Sequence, residues 1–191
     1  GPQPLAWVRH VPAGLQADLI SFARLIEDRT TDFIGRDFVF DALADRMKSA
    51  TCGYVFIRGE PGIGKSALMA QLARTRGWVH HFNVAPENQR SPARFLRNIC
   101  AQLVLRYRLP LDALPEGEHV DARLLGQLLH EASGPADEPV VVLVDALDEA
   151  EAPPPGVNRL YLPRELPQRV FIVTTIRHHV DDGVDSPQRL D

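Results

Sequence analysis

Eight consecutive residues constrain this chain more than any others. Gly59-Glu60-Pro61-Gly62-Ile63-Gly64-Lys65-Ser66 fit G-x-x-x-x-G-K-[ST] at every fixed position. A short run of β-formers, Tyr54-Val55-Phe56-Ile57-Arg58, comes before them, and a helical pattern from Lys65 to Arg76, closed by Gly77, comes after. The fold must therefore contain a strand, a tight glycine turn and a helix in direct succession. Gly59, Gly62 and Gly64 permit backbone angles that side chains forbid, so the turn can aim its N–H groups inward. The helix N-terminus behind it adds partial positive charge. Such a cradle suits a phosphate chain. Composition sharpens the point: Lys and Arg total 21, but only Lys48 and Lys65 are lysines. In an arginine-preferring chain, a lysine inside the loop has a specific use, because a compact ammonium fits between phosphates where a planar guanidinium does not.

The remaining pattern supplies the sheet and its cover. Leu15, Leu19, Phe22 and Ile26 predict an amphipathic helix over 15–27, and Phe40, Leu43 and Met47 predict another from Asp37 to Ser49. Trp78 to Phe82 reads as a second strand, followed by a polar loop over 83–90. Ser91-Pro92 starts a helix running to about Tyr107, and a further helix spans about Asp121 to Ala132. Val140 to Val144 is apolar throughout, as expected of a strand buried on both faces, and Val170 to Thr174 is another clear strand. Strands separated by helices imply an α/β, three-layer sandwich with a parallel sheet flanked by helices, preceded by a short helical segment. Ligands of such sheets bind at the carboxyl ends of the strands. Residues 1–32 read as a tag remnant (Gly1-Pro2) and an N-terminal helical segment, and 33–191 as the phosphate-binding core, reaching the start of a fifth parallel strand.

The second chemical segment lies at one of those strand ends. Val140-Val141-Val142-Leu143-Val144-Asp145 is an apolar strand closing on a carboxylate, the Walker B arrangement that accompanies a P-loop. Asp145 and the Ser66 hydroxyl are expected to hold Mg²⁺, and Lys65 to reach the β- and γ-phosphates of a nucleoside triphosphate. Asp148 and Glu149 follow three and four residues later. Either can orient or deprotonate an attacking water, and the sequence does not rank them. His80 and His81 end the second strand on opposite faces. Packing is the expected role for both, with an approach to the leaving phosphate or a partner as the alternative. His178-His179 has no acid or cysteine at metal-ligand spacing.

Asp145-Ala146-Leu147-Asp148-Glu149 resembles the Walker B of NACHT-type NTPases, within the STAND class of signal-transducing ATPases. That group places a small residue after the magnesium aspartate and two acids shortly beyond. In most AAA+ ATPases the catalytic glutamate follows the aspartate directly, and Ala146 stands there instead. Phe33-Ile34-Gly35-Arg36-Asp37 is similar to the segment that precedes the P-loop in these families. The resemblance implies a base pocket at Phe33 and Ile34, with Arg36 beside it. Val170 to Arg177 resembles the sensor-1 strand, which ends in Thr-Thr-Arg or Thr-Ser-Arg. Here Ile176 separates Thr175 from Arg177, a one-residue shift that bears on any γ-phosphate role for Arg177. By this resemblance, Gly59, Glu60, Pro61, Gly62, Ile63, Gly64, Lys65, Ser66 and Ala67 cradle ATP or ADP. Catalysis would involve Lys65, Asp148, Glu149 and Arg177, and Mg²⁺ would lie at Ser66 and Asp145.

The resemblance further implies a slow ATPase serving as a nucleotide switch, with adjacent domains and nucleotide-dependent self-association as partners. An AAA+ motor or a scaffold without turnover are the other readings. The net charge of −4 gives no basic field for nucleic acid. No apolar run reaches the ~20 residues of a membrane span. Cys52 and Cys100 are too few for a disulfide framework, which fits the cytoplasm.

Overall fold

The computed structural model describes residues 10–31, 33–84, 89–134 and 138–190. Gly1-Pro2 and part of the polar loop over 83–90 lie outside them. The strands are β1 (Gly53–Gly59), β2 (Val79–Phe82), β3 (Val140–Asp145), β4 (Val170–Arg177) and β5 (Arg189–Leu190). They form one sheet in the order β2-β3-β4-β1-β5, and every pairing is parallel. The helices are α1 (Ala13–Gln16), α2 (Ala23–Thr30), α3 (Asp37–Ser49), α4 (Lys65–Arg76), α5 (Pro92–Tyr107) and α6 (Ala122–Ser133).

Alternation along the central strands divides the core into two layers. Val140, Val142, Val144 and Ile172 pack with Phe95, Ile99, Leu103 and Leu128 of α5 and α6. Val141, Leu143, Phe171 and Val173 pack on the other face with Leu68, Met69 and Leu72 of α4 and Ile26 of α2. Every residue of β3 is buried, as its unbroken apolar run requires. Local chemistry fixes the helix starts. The Ser91 hydroxyl accepts from Arg94 N–H at 3.2 Å, with Pro92 in the first helical turn. Asp121 accepts from the N–H groups of Arg123 and Leu124, both at 3.0 Å. Gly77 closes α4 at φ 61°, its N–H on Ala73 O.

The helix expected over 15–27 is two helices. Between α1 and α2 the chain turns to meet α5: Asp18 pairs with Arg97 Nε at 2.5 Å, and Ile20 N–H donates to Asn98 Oδ1 at 3.0 Å. Leu15, Phe22 and Ile26 are all buried. Their spacing suits one helix, but two short helices joined by a turn present the same apolar residues inward. The last described residues enter a fifth strand, with Tyr54 opposite Arg189 and Val55 opposite Leu190.

Candidate functional site

β1 delivers the chain to the carboxyl edge of the sheet, where the glycine loop turns it into α4. Gly62 and Gly64 take φ of 79° and 88°, left-handed values that a side chain would strain. Space at Gly59 is tight, since a Cβ there would stand 3.0 Å from Ile63 Cγ2 and that side chain would have to give way. No side chain caps α4, so its first amides, at Lys65, Ser66 and Ala67, have no partner within the helix. Glu60, Pro61, Gly62 and Ile63 are exposed at the tip. The Lys65 ammonium folds back on its own loop and donates to Gly59 O at 2.6 Å and Glu60 O at 2.9 Å.

Arg36 reaches the same loop from the start of α3, donating through Nη2 to Ile63 O. A Cβ on Gly64 would lie 2.8 Å from that nitrogen, so a side chain there would push the guanidinium aside. Phe33 stacks at an angle on Phe40, 6.1 Å between ring centres, and packs with the α4-side core. Ile34 is 89% exposed, an apolar side chain left uncovered.

At the end of β3, Asp145 is buried, and its carboxylate meets two hydroxyls. Thr175 Oγ1 donates to Asp145 Oδ1 at 2.6 Å, and the Ser66 hydroxyl also bonds it. Burial pushes the carboxyl above its usual range. The Thr175 and Ser66 bonds and the Arg29 charge pull the other way. The pair Ser66 and Asp145 offers a hydroxyl and a carboxylate oxygen, the hard donors that Mg²⁺ takes alongside phosphate oxygens, so these residues fit that ion. No group of three or more His, Cys, Asp and Glu gathers elsewhere among the described residues.

Beyond Asp145 the backbone turns left-handed at Ala146, φ 51°, into a 3₁₀ turn over Leu147–Glu149. Leu147 is anchored in the core, the Asp148 side chain beside it is 2% exposed, and Glu149 stands in solvent. Each acid meets an arginine. Asp148 accepts from Arg177 Nε at the end of β4, and Glu149 accepts from Arg90 Nη2 at 2.7 Å. The sheet register thus brings Arg177 to the acidic turn despite the intervening Ile176.

His80 and His81 do not reach this site. Both are buried, with Nδ1 of His80 on Trp78 O at 2.9 Å and Nε2 of His81 on Gln89 O at 2.7 Å. Burial lowers both pKa values, that of His81 to about 4. Thr175 and Arg90 touch site residues and were not expected there. Thr175 was legible in part, because it shares the face of Val173 at a spacing of two. Arg90 sits in a polar loop whose path no periodicity predicts.

A family model described as AAA ATPase domain matches residues 32–173, the stretch that carries every contact above except those of Thr175, Arg177 and Arg29. The chain belongs to the AAA ATPase domain family. It is an ATP-binding P-loop ATPase domain with an α/β parallel sheet. Among curated proteins it is 32% identical over 145 residues to human NACHT domain- and WD repeat-containing protein 1, covering 69% of this chain and 9% of that protein. It is 30% identical over 134 residues to human NACHT and WD repeat domain-containing protein 2, covering 62% and 8%. The mouse protein of that name is 28% identical over 131 residues, covering 61% and 7%. These relatives agree with the NACHT-type resemblance of residues 145–149.

Proposed function

We propose that this ATPase domain is the nucleotide switch of a longer signal-transducing ATPase of the STAND class, working with Mg²⁺. The observation that carries the reading is the state of Lys65. Its ammonium rests on the Gly59 and Glu60 carbonyls, next to the uncapped amides of α4 and the Ser66–Asp145 pair. A triphosphate on residues 59–67 gives those amides an acceptor and gives Lys65 a stronger one. Mg²⁺, when bound between Ser66 and Asp145, neutralises charge on the phosphates. Ile34 and Phe33 supply apolar surface for the base, with Arg36 at the loop between base and phosphates. Asp148 or Glu149 takes the proton of the attacking water, and Arg177 answers the γ-phosphate.

Both acids are engaged by arginines in this structure, which favours slow turnover and a switch over a motor. Exchange of ATP for ADP would then alter how the domain meets its neighbours and other copies of itself. The chain spans under a tenth of each relative it matches, 9% at most, so neighbouring domains are inferred from the relatives' names. With a net charge of −4 and no described helix long and apolar enough to cross a membrane, neither nucleic acid nor bilayer enters the proposal. Free Cys52 and Cys100 suit a cytoplasmic setting.

Calorimetry with ATP and Mg²⁺ tests the reading. Lys65→Ala removes a charge-assisted contact, so affinity is expected to fall about 10- to 100-fold. Equal affinity for both proteins would remove the glycine loop from the site.

A further inference from the structure

β2 and β3 end side by side, with Phe82 opposite Asp145. The next residue on the β2 side, Asn83, is 2% exposed. Its backbone N–H and its Nδ2 both donate to the Asp145 carbonyl, at 3.3 and 2.8 Å. Its Oδ1 is buried and meets no donor among the described residues. The orientation of the amide is not in question, because a flip would set its oxygen against a carbonyl oxygen. The unpartnered atom is therefore an acceptor, at the edge of the sheet where the nucleotide sits. Buried acceptors rarely go without a donor, and water or a ligand usually supplies it.

Holding the backbone explains only part of Asn83. The peptide between Asp145 and Ala146 is gripped from both sides, its carbonyl by Asn83 and its N–H by Thr175 Oγ1 at 2.8 Å. That grip uses the amide nitrogen and leaves the oxygen over. The neighbouring groups do not fill the gap. Ala146 offers a methyl, and the carboxylates of Asp148 and Glu149 accept, from Arg177 and Arg90, rather than donate.

We propose that Asn83 Oδ1 accepts a hydrogen bond from the water that attacks the γ-phosphorus of ATP, and so orients it. The proposal rests on ATP hydrolysis at this site. The water oxygen bonds to the γ-phosphorus as the bond from that phosphorus to the β–γ bridging oxygen breaks. The electron pair leaves with ADP. The water's proton passes to Asp148 or Glu149 and then to solvent. The Asn83 amide neither gains nor loses a proton, so it aligns the nucleophile while a carboxylate deprotonates it.

ADP with aluminium fluoride and Mg²⁺ stands in for the transferring phosphoryl group with its in-line water. For Asn83→Ala, affinity for that complex and the single-turnover rate are expected to fall about 10²-fold, and affinity for ADP alone far less, since ADP loses only the backbone brace. A residue that only braces the backbone would weaken both complexes together. Equal losses, or no loss of either, overturn the proposal, as does a wild-type protein that binds ADP no better with the fluoride. Wild-type protein that fails to bind ADP at all sinks the nucleotide reading and this proposal with it. Should Asn83→Ala not fold, a high-resolution crystal structure of the wild-type fluoride complex decides. A water in hydrogen-bond contact with Asn83 Oδ1 and in line with the phosphorus mimic supports the proposal, and its absence from that position refutes it.

Discussion

Two groups of polar side chains, one under β2 and one along the carboxyl edge of the sheet from β1 to β2, use their hydrogen bonds in opposite ways. Under β2, His80, His81, Asn98 and Gln102 close on one another. His80 N–H donates to Gln102 Oε1 at 3.0 Å, and Gln102 Nε2 returns to His80 O at 2.8 Å and Asn98 Oδ1 at 3.0 Å. Asn98 Nδ2 donates to His80 O and to His81 Nδ1, both at 3.2 Å. Along the carboxyl edge the bonds are provisional. At the glycine loop Lys65 rests on carbonyls of its own turn and the α4 amides are uncapped, and at the end of β2 Asn83 Oδ1 has no donor among the described residues. A buried network that satisfies itself is architecture. Groups whose partners are missing or makeshift are arranged for something that arrives.

The open region should show the largest single effect. Replacing Asp148 by Asn and Glu149 by Gln together keeps size and hydrogen bonding while removing both proton acceptors. General bases contribute about 10²–10⁴-fold, so single-turnover hydrolysis should fall by that factor while ATP still binds. Turnover that survives the double replacement would assign proton transfer elsewhere, and would class the two acids with the closed architecture.

The closed region answers to pH rather than to nucleotide. His81 is neutral and buried, its pKa lowered to about 4 by burial first of all. The unfolded chain titrates near the ordinary value, about 6.5. Between those values the unfolded state binds more protons, so stability falls as pH drops through that window. The linkage is worth about 3 kcal/mol between pH 7 and pH 4. Urea denaturation of wild type and His81→Gln over that range isolates the term. Parallel curves would mean that His81 accepts a proton without opening the network.

The same contrast governs what was legible beforehand. Gly59 to Ser66 and Val140 to Asp145 are contiguous, so local spacing reveals them. The expected strands and helices followed from periodicity, apart from the turn at Asp18, which exists because Arg97 and Asn98 of α5 are there to receive it. Long-range pairings are the part that spacing does not encode. Glu149 meets Arg90 and Asn83 meets Asp145 across 59 and 62 residues. Those contacts depend on sheet order and on where a polar loop returns. Histidines at a strand's ligand end looked available for chemistry, yet Asn98 and Gln102, one helical turn apart on α5, had already taken them up.

Asp145 tests the comparison with the smallest effect, because it is buried like the histidines yet belongs to the open region. Burial raises its pKa above the ordinary range despite two hydroxyl partners. For an acid shifted upward on folding, the stabilising contribution is present below the unfolded pKa and lost as pH rises through the folded one. Charge on the buried carboxylate therefore works against the fold. Asp145→Asn removes that charge, and its remaining oxygen can still accept from Thr175. The nucleotide-free protein is expected to gain about 1 kcal/mol, the usual direction when a functional charge is neutralised. The gain should appear as a higher melting temperature in EDTA. Saturating ATP with Mg²⁺ should then raise the wild-type melting temperature further above its ATP–EDTA value, and should add little for Asp145→Asn. If the replacement instead lowers stability in EDTA, the carboxylate is a structural acceptor, and Asp145 belongs with the closed network rather than with a metal.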